Sequence, residues 1–190
     1  MLHATSAALS AHLETALAGC CAVTTEPPGP SVTAGPEGAG GEQGLGVHLF
    51  HLSAVDLGRA VDAAAVRDGT GRVVGRRPPV RRYRTRWLVW AWAPTAPARL
   101  ALLDEALTQL TGPVLAVGPE LAEGGPVHLE AAPAGSTAGE LAGVFAGLCV
   151  PARPALELVV TAGLVAATEP VPAPPSDVRV VSRPRRIRPH

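Results

Sequence analysis

The sequence contains no lysine; all 16 of its basic residues are arginine. That removes the lysine of a phosphate-binding loop from consideration. Cysteine is scarce too, at Cys20, Cys21 and Cys149. An odd count with no CxxC spacing excludes a disulfide framework and a zinc site. The three are expected to act as small buried apolar residues in a reducing compartment. No apolar run reaches the ~18 residues of a membrane span. Leu17-Ala18-Gly19-Cys20 has the form of a lipidation signal, but no Arg or Lys precedes it, and His3, His12 and Glu14 interrupt the apolar run. An export signal needs both features, so none is expected.

What is present describes a globular chain. Its 190 residues are 47% apolar, enough for one domain with a real core. Gly (21) and Pro (20) are abundant but clustered, so they mark long loops at 26–46 and 56–79. The formal net charge is zero, which argues against a nucleic-acid partner engaged by the whole surface. Charge is nevertheless uneven. Arg72 to Arg86 holds seven Arg and no acid, and Asp177 to His190 holds five Arg and one acid.

Hydrophobic periodicity orders the elements. Leu2, Leu9, Leu13 and Leu17 predict a first helix. Val47–Val55 predicts a strand, with Val47, Leu49 and His51 on one face and His48, Phe50 and Leu52 on the other. Val80–Ala93 predicts a longer strand, basic from Arg81 to Arg86 and apolar from Trp87 to Ala93. Leu100, Leu103, Leu107 and Leu110 predict a second helix. Val114–Val117 is a short apolar piece, Val127–Glu130 a short strand, and Ser136–Leu148 a third helix with Thr137 and Glu140 as a capping box. Ala155–Val165 predicts a last strand. The expected fold is α+β, a mixed sheet packed with helices, over residues 1–168. Residues 169–190 read as a Pro-rich linker and a basic C-terminal arm.

No catalytic constellation emerges, and no cofactor or metal site is expected. His48 and His51 are three residues apart on a strand, which directs them to opposite faces. The glycine-rich stretch 35–46 lacks GxxxxGK[ST], and no GxSxG occurs. Asp104 and Glu105 are neighbours on a helix and point apart.

Two surfaces remain as candidates for binding a partner. Arg81, Arg82, Arg84 and Arg86 could meet an acidic protein or nucleic acid. Trp90 and Trp92, in the apolar half of the same strand, belong to a core or a subunit interface rather than to base stacking. In the arm, Val178, Arg179, Val180 and Val181, followed by Arg183, Arg185 and Arg186, can add as a strand to a neighbour's sheet edge.

Taken in order, several segments resemble the tail-cap, or tail-terminator, family of phage-tail-like contractile injection systems of the virulence-cassette type. The run Leu45–Leu57 is similar to that family's early strand. Pro78-Pro79-Val80 followed by Arg86–Ala93 is similar to its Pro-led strand. Leu100–Leu110 with Pro113-Val114-Leu115 matches its Leu-rich helix and following segment, and Arg153-Pro154-Ala155-Leu156-Glu157-Leu158-Val159-Val160-Thr161 matches its closing motif. Ser53-Ala54 and Val144-Phe145 depart from the family pattern, and longer members carry further domains. The resemblance implies a tail-terminator-like fold and no enzymatic activity. It implies a hexameric ring on the end of inner tube and sheath, with the sheath and tube proteins as partners. It also implies a cytoplasmic protein built into a particle, with no membrane association.

Overall fold

A computed structural model describes residues 1–17, 21–31, 33–36, 42–55, 63–111, 127–131, 138–165 and 168–170. In chain order these form α1 (Leu2–Ala16), β1 (Ala22–Thr24), β2 (Gly44–Ala54), β3 (Ala64–Arg67), β4 (Val73–Arg77), β5 (Arg81–Trp92), α2 (Ala96–Leu110), β6 (His128–Ala131), α3 (Ala138–Gly147), β7 (Ala155–Leu164) and β8 (Glu169–Pro170). The chain divides into two compact units, Met1–Val61 with Pro79–Ala166, and Asp62–Pro78 with Ala167–His190.

The first unit is built on a five-stranded sheet of order β1-β2-β5-β7-β6. β1 runs parallel to β2 and the other pairs are antiparallel, so the sheet is mixed and the fold is α+β, as expected. β5 is central. From Trp87 to Trp92 every residue of it is buried, because helices cover both faces there. On one face, Leu9, Leu13 and Leu17 of the α1 segment and Leu103, Ala106 and Leu110 of α2 pack on Leu45, Val47, Trp87, Val89, Ala91, Leu158 and Val160. On the other, Phe145 of α3 packs on Leu88, Trp90 and Trp92. An unbroken apolar run is what a strand buried on both faces requires.

Local chemistry sets the helix ends. Thr95 caps α2 through its hydroxyl, which accepts from the Ala98 amide (3.4 Å), with Pro97 in the first turn. His12 Nε2 donates to the Gln109 carbonyl (3.2 Å), joining α1 to the end of α2. α3 ends where Cys149 takes φ 56°, a left-handed conformation that reverses the chain. Cys149 is exposed at that turn and Cys21 is half-buried, so the expected burial of the cysteines is corrected for both. Cys20, the proposed capping box of α3 and the piece 114–117 lie outside the described residues.

Tight packing between β2 and β5 fixes their register. Gly44 pairs with Trp92 and Gly46 with Trp90. Each indole lies so close to its partner that a Cβ on Gly46 would collide with the Trp90 ring, and one on Gly44 with that of Trp92. Gly35 also meets Trp92, where a Cβ would fall 2.6 Å from the ring. The 26–46 segment thereby meets the sheet at Gly35. Arg153 holds it: its guanidinium donates to the carbonyls of Ser31 (2.9 Å) and Gly29 (2.6 Å) and lies 5.5 Å from the centre of the Trp90 ring.

The second unit corrects the sequence reading of 56–79 as a loop. β3 and β4 form an antiparallel hairpin within it. The Asp68 carboxylate closes the turn, accepting from the Thr70 amide (2.9 Å), the Thr70 hydroxyl (2.6 Å) and the Arg72 amide (3.0 Å). Those bonds hold its pKa below the usual carboxylate range. Gly71 supplies the positive φ of 81° that the turn needs. The strands are only four and five residues long and their apolar residues do not alternate, so periodicity hid them, while the Asp-Gly turn chemistry marked them. β8 pairs with β4, Glu169 opposite Arg76, so the linker expected from 169 begins as a strand.

Replacing Gly46 with Ala is expected to lower unfolding free energy by about 2–3 kcal/mol, the usual cost of overpacking a closed core. Gly143 lies in α3 with open space around it. Gly143→Ala should therefore raise stability by about 0.5–1 kcal/mol. Urea denaturation midpoints of the two variants check both signs.

Candidate protein-interaction surface

Beyond Thr85 the sheet outruns its helices. The burial of β5 falls from complete at Trp87–Trp92 to exposed at Arg84 and Arg81. Register places each side chain of this outer half on a face. On the face that carries α1 and α2 lie Leu52, Thr85, Tyr83, Ala162, Arg81 and Leu164. Leu52 and Leu164 are 46% and 41% exposed, so this face is partly apolar. On the opposite face lie Arg82, Arg84 and Arg86, with His51 and Ser53 from β2 and Thr161 and Gly163 from β7.

The face assignment of His51 corrects the sequence reading. β2 carries a bulge between Leu49 and His51, so that Leu49 opposes Trp87 and His51 opposes Arg86, leaving Phe50 as the extra residue. One inserted residue reverses the alternation beyond it. His51 thus joins His48 on one face and Leu52 moves to the face of Val47. Among the described residues no three His, Cys, Asp or Glu side chains gather as a metal site would require. His48 is half-buried, and burial holds its pKa below the ordinary imidazole value, opposed by the Thr25 backbone and the Glu26 charge.

The four candidate arginines of β5 divide in role. Arg86 donates to both carboxylate oxygens of Glu157, at 3.0 Å from Nη2 to Oε2, and to Glu140 of α3 at 2.8 Å. Its ring neighbour is Phe50, 5.3 Å from Cζ to the ring centre. These carboxylates, above all Glu157, push the Arg86 pKa further up. Glu157 is 3% exposed, so Arg86 is an internal ion-pair partner and is removed from the candidate contacts. Trp90 and Trp92, both 0% exposed, are core residues and are removed likewise. They pack with Leu88 and with Phe145 of α3 in the core layer on that face of the sheet. Among the described residues, Arg81, Arg82 and Arg84 have no carboxylate within 4 Å. The rest of the basic run, Arg72, Arg76 and Arg77, belongs to the second unit. Val178, Arg179, Val180, Val181, Arg183, Arg185 and Arg186 lie outside the described residues.

Sequence reasoning missed Arg153. It is 8% exposed, with no carboxylate within 4 Å among the described residues. Burial first, and the Arg99 charge second, lower its pKa. Carbonyl oxygens and the Trp90 ring compensate its charge instead. The available signal was a lone Arg between Pro151 and Pro154 at the mouth of an apolar strand.

No protein-family model matches the sequence, and no curated protein is similar to it. Solved structures are. The fold is similar to the sheath/tube terminator, in the extended state, of the extracellular contractile injection system PVC, with a TM-score of 0.65 and 16% identity. That match covers 96% of this chain and 64% of the other. It is also similar to the tube-terminating cap of the anti-feeding prophage, with a TM-score of 0.61 and 16% identity over 92% of this chain and 60% of that one. The chain thus spans under two thirds of the length of either neighbour. The likeness is one of fold: this is a tail-terminator fold, as the ordered motifs implied.

Arg86→Leu strands a buried carboxylate and should cost about 3–5 kcal/mol of stability, whereas Arg86→Leu with Glu157→Leu should recover most of that loss. A double-mutant cycle by urea unfolding measures the recovery. For His48 the neutral form is favoured in the folded state. Its contribution is intact above the unfolded imidazole pKa and is lost as pH falls through and below it. His48→Gln should therefore lose less stability than wild type between neutral pH and pH ~5, a range spanning the unfolded imidazole value.

Proposed function

We propose that the chain is a structural cap of a phage-tail-like contractile injection particle. It sits on the last ring of inner tube and sheath, ends their growth and anchors the terminal sheath ring. The observation that carries this reading is the fold likeness to two terminators over more than nine tenths of the chain. The protein acts by binding, without catalysis and without a cofactor.

The sheet supplies a physical basis for assembly. Among the described residues β1 and β6 each have one strand neighbour, and they stand at opposite edges of the five-stranded order. Contacts through two different edges are head-to-tail, and head-to-tail contacts that close make a ring. Six copies would match a six-fold tube. Its partners are the sheath and tube proteins, and its place is the particle assembled in the cytoplasm. Among the described residues no helix is long and apolar enough to cross a membrane. The C-terminal arm, with Val178, Arg179, Val180 and Val181, is the segment suited to pair with the sheath.

Expression with the tube and sheath proteins of the same particle tests the reading. Particles made without this chain should have variable, overlong sheaths by electron microscopy, and particles made with it should carry the chain at one end. Uniform length in its absence would refute the cap. Removal of Val178–His190 should leave thermal unfolding unchanged. At about 1 kcal/mol for each main-chain hydrogen bond lost, it should lower cap occupancy at least tenfold.

A further inference from the structure

Arg82 and Arg84 stand two residues apart on one face of the central strand of a five-stranded sheet. That places their Cα atoms about 6.7 Å apart. Like charges so placed repel, and sheets ordinarily offset them with opposite charges on the flanking strands. Here the flanking positions hold Ser53, Thr161 and Gly163. The third arginine of the row, Arg86, shows the offset form, with Glu157 and Glu140 against it. The chain therefore gathers two carboxylates at one end of the row and, among the described residues, none at the other. The small neighbours also leave room for side chains arriving from outside.

We infer that Arg82 and Arg84 form a docking ladder for an acidic, extended segment of a neighbouring protein subunit, with carboxylates at alternate residues. The side-chain repeat of such a segment is again about 6.7 Å, so successive carboxylates meet successive arginines. Each guanidinium can hold a carboxylate through two parallel hydrogen bonds. Nucleic acid fits less well: all three tryptophans of the same strand are buried and Phe50 is taken up by the Arg86 guanidinium, which leaves no free stacking platform beside Arg82 and Arg84 among the described residues. The cap reading says which assembly supplies the segment; the chemistry of the ladder stands apart from it.

The test uses the full chain and a fluorescein-labelled peptide of alternating Glu and Thr, at about 50 mM salt so that screening is weak. Saturable binding is expected. It should weaken at least tenfold in Arg82→Glu/Arg84→Glu, the scale of losing two charge-assisted contacts. Arg82→Lys/Arg84→Lys should keep most of it, and Arg76→Glu/Arg77→Glu, with the same change in net charge, should leave it unaltered. Circular dichroism confirms that each variant is folded. No binding by wild type, equal binding by Arg82→Glu/Arg84→Glu, or tighter binding of a short DNA duplex through the same residues would overturn the inference. Cap occupancy in assembled particles separates the two claims. A wild-type chain that never reaches particle ends refutes the cap, while a wild-type chain that caps no better than Arg82→Glu/Arg84→Glu refutes the ladder.

Discussion

The contact between two indoles and two glycines orders the first unit of this chain. Trp90 and Trp92 lie over Gly46 and Gly44 across the β2–β5 pair, and no other residue at those glycines leaves room for the rings. A one-residue slip would place Leu45 under an indole and expose half of each strand's apolar set. Register here decides which face every later residue occupies. Leu45 and Val47 meet the two-helix layer because of it, and Leu88 meets Phe145. The Gly-Leu-Gly of β2 and the Trp-Ala-Trp of β5 are complementary halves of one packing unit.

Around that unit, arginine meets three different electrostatic problems. Arg153 is buried among carbonyl oxygens and an aromatic ring, with no counter-charge within 4 Å among the described residues. It ties the Gly29–Ser31 segment to the sheet and so closes one side of the tryptophan layer. Arg86 neutralises Glu157, which would otherwise be an ionised group within the core. The pair is worth less than its distance suggests, because two desolvated charges offset most of their attraction, but neither member can be lost alone. Among the described residues Arg82 and Arg84 have neither solution. With no lysine in the chain, nothing in the composition distinguishes these three situations; geometry does.

Much of this was legible before any coordinates. The elements from α1 through β2, β5, α2, β6, α3 and β7 follow from the spacing of Leu, Val and Trp, because their faces are strongly unequal. The wet and dry halves of β5 were readable as Arg81–Arg86 against Trp87–Ala93. What stayed hidden shares one cause. β3 and β4 are too short for periodicity and lack alternation, and their signal lay in the hydrogen bonding of Asp68. Arg86 and Arg81 look alike in sequence, since a counter-charge 54 or 71 residues away cannot be seen locally. Trp90 and Trp92 were rightly placed in the apolar half, but whether that half faced its own helices or a second subunit depended on α3.

The bulge at Phe50 shows how one residue carries the outer half of the sheet. Up to Leu49, β2 alternates in step with β5; beyond it, every side chain has changed face. Without the extra residue, Leu52 would lie among Arg82, Arg84 and Arg86, and His51 would lie beside Tyr83 and Thr85. With it, the apolar Leu52 joins Tyr83 and Leu164, while His51 and Ser53 flank the arginines. The bulge thus sorts the sheet end into a partly apolar face and a basic one. Phe50, the inserted residue, is itself anchored against the Arg86 guanidinium, so the sorting is tied to the same buried ion pair that holds Glu157 and reaches α3. Two faces of opposite character on a single projecting sheet are suited to meeting two different neighbours.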